Sequence, residues 1–429
     1  MKMVQLLTIL SILLNINPQN YIEKSFSSIG NNAHIENNIF DNRIYTVQLH
    51  KPGWNLSYPF IRLSQDEKLE LHFDILDDDL ETLYYSFIHC DKDWNRSDLT
   101  TFEYLDGFPE NDIEDVNVSY NTTVDYYHYS IEFPNDDVSF RISGNYAIIV
   151  YIDNIDEPIL IQRFVVVEDG VGITAEVDPP QMSIGDNTSQ QVNISINVNN
   201  SNIIDPARNI YTTILQNGRW DNAKTNIKPN ISNNNSLSFN SLSTENIFDG
   251  GNEFRSFDSR NTKYKGENIR QIEFNSSYYN MFLNSSSSRG EKAYFNEPYF
   301  NGKYYIAIDN RDNFNLEADY VWVHFSLPYM APMGSEIYIF GALTNWAISD
   351  KYRMTFNGSE YEASLLLKQG WYNFEYVIKQ SNGDIDYKTL EGNHYETEND
   401  YLILVYYRDP RERYDKLIGY YSVNSNQQR

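Results

Sequence analysis

The string FIHCDKDW, residues 87–94, gathers the side chains best able to do chemistry. His89, Cys90, Asp91 and Asp93 could make a thiolate nucleophile with its base, or a metal site. The spacing argues against both. Neighbours in an extended strand point to opposite faces, so His89 and Cys90 cannot easily grip one ion or each other. There is no second cysteine, and neither H-x-x-x-H nor H-E-x-x-H appears. The seven histidines are scattered at 34, 50, 72, 89, 128, 324 and 394, and nothing picks one as a base for Cys90. The residues read instead as a strand over Tyr84 to Cys90 and a turn. Cys90 then acts as a small buried apolar group. Asp91 and Asp93 cap backbone N–H groups, and Trp94 folds back onto the edge of a sandwich.

Other reactive patterns fare no better. DDDLE (Asp77 to Glu81) and the acidic run Asp309 to Asp319 lack the spacing that places oxygens around one calcium ion, and read as solvated turns. Phosphate-cradling glycine loops and a G-x-S-x-G elbow are absent. Paired carboxylates of a glycosidase come from distant strands, so no pair can be named. Lys plus Arg is 33 against 60 Asp plus Glu, a net charge of −27. That balance excludes binding to nucleic acid or anionic lipid, both of which need basic surfaces. No catalytic residue, metal ligand or cofactor site is assigned.

The elements that position these residues are strands. LELHFDI sets Leu69, Leu71, Phe73 and Ile75 on one face, and Glu70, His72 and Asp74 on the other. YHYSIEF, VNISINV and VWVHFSL repeat the alternation, and WYNFEYVI and YLILVYY complete the set. One buried and one wet face per strand is the habit of antiparallel sheets packed as sandwiches. The fold class is therefore all-β, as tandem immunoglobulin-like or early-set β-sandwiches, with aromatics at 15% to fill the cores.

Breaks in this rhythm divide the chain. Residues 1–19, with an apolar run from Val4 to Leu14 behind Lys2, read as a signal peptide. Residues 20–42 read as a flexible segment. An N-terminal sandwich follows over 43–170, a central β-rich unit over 171–319, a C-terminal early-set-like sandwich over 320–421 and a frayed tail over 422–429. No later run of 18 apolar residues offers a membrane span. One cysteine allows no internal disulfide, so packing alone must hold these units.

The C-terminal unit resembles the early-set domains that include glycogen-binding modules, through IYIFGALTNWAISDKY and the following GWYNFEYVI. In such modules two exposed tryptophans stack on sugar rings. Trp346 and Trp371 are the matching candidates, and filling the core and its edge is the alternative role for them.

A further likeness covers residues 44 to about 420. VQLHKPGWNLSYPFIRLSQDEKLELHFDIL, HCDKDW, EYLDGF, SGNYAIIVY and RFVVVE, then ILQNGRWDNA and GGNEFRSFD, resemble the type IX secretion system plug proteins of Bacteroidetes. The resemblance implies a periplasmic, non-enzymatic protein. It implies docking on the giant outer-membrane barrel of the translocon, closing its periplasmic mouth when no substrate passes. It transfers no catalytic residues. The expected partner is that barrel, with no nucleic acid, no membrane insertion and a monomer when free. Aromatics placed in turns are the contact candidates: Trp54, Tyr58, Trp94, Tyr104 and Phe108. Capping the core is the competing role for Trp54, Trp94 and Tyr104. The rival functions are a secreted carbohydrate-binding protein using Trp346 and Trp371, and a hydrolase with loop carboxylates.

Overall fold

The structure, a computed structural model, describes residues 33–180, 187–199, 202–233, 236–240, 244–275, 277–297, 299–309 and 311–426. The expected signal peptide lies outside them. Alternating residues build three β-sandwiches. In the N-terminal sandwich, Ile44–His50, Leu69–Ile75, Tyr127–Phe133 and Asp115–Val118 form one sheet. Tyr84–Cys90, Gly144–Tyr151 and Pro158–Val167 lead the other, with Phe60–Arg62 running parallel to the last. The core between them holds Leu71, Phe73, Phe87, Phe133, Tyr146 and Phe164.

The division at 319/320 does not follow the sheets. Strand Ile210–Gln216 of the central unit pairs with Asp400–Arg408, which pairs with Asp415–Asn424. The end of the chain therefore completes the middle sandwich. Val192, Ile194, Ile214, Leu237, Ile403 and Val405 share its core. Residues 255–386 form a third sandwich inserted into the middle one, with Gly370–Lys379 and Tyr320–Leu327 as central strands of its two sheets. The period of two marks a strand but carries no information about a partner nearly 200 residues away.

Both ends of the described chain correct the expected boundaries too. Ile35 is buried and Asn38–Ile39 pairs with Leu160–Ile161, within the segment read as flexible. Asp415–Asn424 runs into the segment read as a tail, and Val423 is buried. A two-residue strand such as Asn38–Ile39 is below what an alternating pattern can show.

The sandwiches are fused rather than strung out. Every residue of Gly144–Tyr151 and Pro158–Val167 is buried, because both faces of that sheet are covered. Its outer face, with Ile88, Ala147, Ile149 and Ile161, meets Leu402, Leu404, Tyr406 and Leu417 of the middle sandwich. Asp400–Arg408 accordingly alternates between two cores, sending Ile403 and Val405 one way and Leu402 and Leu404 the other. A fully buried side chain of this size contributes about 1.5–3 kcal/mol. This face outweighs the ion pairs around it, which contribute about 0–1 kcal/mol when exposed.

Candidate partner-docking site

The reactive-looking string folds as strand and turn. His89 and Cys90 are both buried, and they face opposite ways. His89 lies among Tyr104, Tyr146 and Tyr414, with Nδ1 3.0 Å from Ser97 Oγ. Burial pushes its pKa down to about 4. Cys90 faces the second core with Trp94, and burial pushes its thiol up to about 12. Neither a nucleophile nor a metal ligand is made this way. Among the described residues no group of three His, Cys, Asp or Glu side chains could hold a metal ion.

Asp91 caps the turn: its Oδ1 accepts the N–H groups of Asp93 and Asn95, both at 2.9 Å. Asp93 does something else. It accepts from Asn226 of the middle sandwich at 2.7 Å, while the Lys92 N–H donates to Asp415 at 3.1 Å. The turn is a joint between two sandwiches.

Two further strings behind the family likeness also tie distant segments together. In QNGRWDN, Asn217 and Asp400 exchange hydrogen bonds, and Gly218 sits under Tyr58 in the left-handed region (φ 73°). A Cβ there would stand 2.5 Å from Tyr58 Cε1. The Tyr58 hydroxyl donates to Asp400 at 2.9 Å, Asn301 donates to the same oxygen at 2.6 Å, and the Lys303 ammonium lies 3.3 Å from the Tyr58 ring centre. Tyr58, Asp400 and Asn301 come from the three different sandwiches, which meet at this carboxylate. In GGNEFRSFD, Arg255 donates to Glu391, which also holds Arg289. Burial works to raise the Glu391 carboxyl, but the two guanidiniums outweigh it and hold it at about 2.

The contact candidates separate accordingly. Trp94 is 3% exposed and Tyr104 4% exposed, so neither can meet a partner. Trp94 is covered by Trp220 and by the Arg163 guanidinium, 4.5 Å from its ring. The Tyr104 hydroxyl donates to the Phe87 carbonyl at 3.1 Å. Tyr58 is held in the joint just described. Trp54 and Phe108 are free, at 61% and 64% exposure.

Both free aromatics leave the same end of the N-terminal sandwich. Trp54 follows the end of Ile44–His50, and the Phe108 N–H donates to Asp137 in the turn after Tyr127–Phe133; His50, Glu70 and Glu132 are neighbours in register at that end. Beside Phe108 a cleft is lined by Glu110, Asp112, Glu114, Asp115, Glu132 and Asp137. Phe102, 72% exposed, lies six residues before Phe108 and was not among the candidates. No sequence signal distinguishes it from its buried neighbour Tyr104.

Trp346 and Trp371 do not offer open ring faces for a sugar. Both belong to the outer face of the sheet containing Gly370–Lys379. Trp346 packs against Phe254 and Phe340 under the Arg219 guanidinium, 5.1 Å away. Trp371 meets Phe300 and the Arg260 guanidinium, 5.3 Å away. Arginines of neighbouring segments take the place a sugar ring would need, a competition that cannot be read from the tryptophans alone.

Three sandwiches locked through buried joints, with aromatics held out from one acidic end, define an all-β scaffold. Residues 44–168 match the first domain of the type 9 secretion system plug proteins. The chain is also similar to a hypothetical protein from Parabacteroides merdae ATCC 43184 of known crystal structure. The two are 35% identical over 91% of this chain and 100% of that one, with a TM-score of 0.88. The chain belongs to the type 9 secretion system plug protein family. That family is a structural component of secretion, not known for enzymatic activity, and implies a place in the periplasm near the outer membrane. No curated protein matches the chain.

Proposed function

We propose that this protein docks on the periplasmic opening of the giant translocon barrel in the outer membrane and closes it when no substrate is passing. The observation behind this reading is the pair Trp54 and Phe108, exposed at one end of a body whose other motif aromatics are buried or half-buried. Large aromatics fixed on stiff turns give contact area at little entropic cost, and such residues dominate binding energy. The six carboxylates beside Phe108 steer that end towards a basic surface. The fused sandwiches suit obstruction, since a stopper must not deform under a passing chain. Release requires only that a competing partner, or another state of the barrel, bind this surface less well.

The test is retention of the barrel from solubilised envelope on immobilised protein. Wild type retains it, with retention falling as salt rises. Trp54→Ala and Phe108→Ala each lower retention about tenfold or more, the effect of losing a side chain worth over 1.4 kcal/mol. Both side chains are exposed, so the fold survives. Undiminished retention by both variants refutes the assigned face, and failure of the wild type to retain any outer-membrane barrel refutes the function.

A further inference from the structure

A chain of polar groups runs along the outer face of strand Leu69–Ile75. In register, Asp74 stands opposite His128 and Glu70 opposite His50. Asp74 is fully buried beneath the inserted sandwich. Its Oδ2 accepts from Lys368 Nζ and from the Tyr320 hydroxyl, both at 2.6 Å. Lys368 also donates to the Asn315 carbonyl and lies 4.1 Å from the Tyr126 ring centre. From Asp74 the chain continues outward. Oδ1 is 2.6 Å from His128 Nδ1, His128 Nε2 is 3.2 Å from His72 Nδ1, and His72 Nε2 is 3.3 Å from Glu70 Oε2. The two rings are stacked, 5.3 Å between centroids.

Counting protons decides what this chain is. Both ends are acceptors. Burial works to raise the Asp74 carboxyl, but Lys368 and His128 outweigh it and hold it below its ordinary value. The hydrogen bond from His72 holds the Glu70 carboxyl down. Three hydrogen bonds between two carboxylates need three N–H groups on the imidazoles. Two neutral rings carry two. With two, one link sets a nitrogen lone pair against a carboxylate oxygen, inside a joint where unmatched polar atoms cost most.

We infer that His72 and His128 share one proton beyond their neutral complement, and that this proton helps fasten the N-terminal sandwich to the inserted one, making the joint sensitive to pH. The neighbours are consistent with a single shared charge. His50 stacks on His72 at 5.3 Å from the same sheet, and burial lowers its pKa. Glu132, across from Glu70, is engaged by Lys68. Among the described residues, the inserted sandwich hydrogen-bonds the chain through Lys368 and Tyr320, both on Asp74, while the buried Tyr304 and Tyr372 hydroxyls also feel its charge. Above about pH 6.5, the ordinary histidine value, separated, unfolded histidines no longer bind the extra proton that the folded pair holds. The stability it adds is therefore present at mildly acidic pH and lost as pH rises.

Glu70→Gln is the discriminating variant. Glu70 is partly exposed, and a glutamine amide can donate to His72 Nε2, so two neutral rings then complete the chain. Ring-nitrogen NMR on histidine-labelled protein at pH 6.5, with His72 and His128 assigned by single substitutions, should show one imidazolium spread over the pair in the wild type and two neutral rings in Glu70→Gln. The thermal midpoint of the wild type should fall relative to that of Glu70→Gln between pH 6.5 and 9. Two neutral rings in the wild type, or parallel pH curves for the two proteins, overturn the inference.

Discussion

The indole of Trp94 stands edge-on to the indole of Trp220, 4.8 Å between ring centroids at 85°. One belongs to the N-terminal sandwich and the other to the middle one, and the Arg163 guanidinium lies within 5.7 Å of both rings. The contact joins HCDKDW to QNGRWDN across more than a hundred residues of sequence. Two strings that looked like separate motifs are two halves of one joint.

The pair should therefore be coupled energetically. Trp94→Ala opens a cavity in a closed face and should cost about 3–5 kcal/mol. Trp220→Ala, at a half-buried ring, should cost less. In a double-mutant cycle the combined loss should fall short of additivity by about 1 kcal/mol, the extra worth of an aromatic pair. Urea unfolding followed by far-ultraviolet circular dichroism checks this. Strict additivity would mean the rings do not support each other.

What could be read from the sequence follows from the physics of each signal. Leu69, Leu71, Phe73 and Ile75 point inward as their alternation required. The outward set is the instructive failure. The alternation predicts a wet face for Glu70, His72 and Asp74, yet Asp74 is buried because the inserted sandwich covers it. Period two separates two faces; it does not say what covers the second. The same gap explains Trp94, whose turn would be exposed on an isolated sandwich and is closed by Trp220. Trp54 and Phe108 sit in turns of similar composition and stay open because none of the described residues packs over them. Pairing of Ile210–Gln216 with Asp400–Arg408 was invisible for a related reason: each strand's own pattern is complete without naming its neighbour.

Cys90 tests whether its side of the sheet is as closed as the packing implies. The thiol is fully buried between sandwiches, and burial pushes it up to about 12. At pH 8 the thiolate fraction is then on the order of one in ten thousand, before steric exclusion. Native protein should show almost no labelling by a thiol-reactive disulfide over an hour, and one equivalent at once in denaturant. Labelling of the native state at the rate of an exposed cysteine would mean that the joint opens readily.

His89 gives the fold a signed response to acid. Burial lowers its pKa from 6.5 to about 4, so it is neutral in the folded protein and charged in the unfolded one between those values. The unfolded state binds more protons there, so stability rises with pH across that window. The contribution is complete above about pH 6.5 and lost as pH falls towards 4, on the order of 3 kcal/mol in all. Glu253 and Glu375 act in the opposite sense: burial raises each to about 7, so their contribution is present in acid and lost as pH rises towards neutrality. The wild-type profile alone therefore mixes both signs. Comparison with His89→Gln isolates one of them, because glutamine can still meet Ser97 Oγ and the Ser143 carbonyl but does not titrate. The variant should be less stable than wild type at pH 7, and the gap should close steadily on lowering the pH to 4. A gap of constant size would mean that His89 is not held neutral by its surroundings.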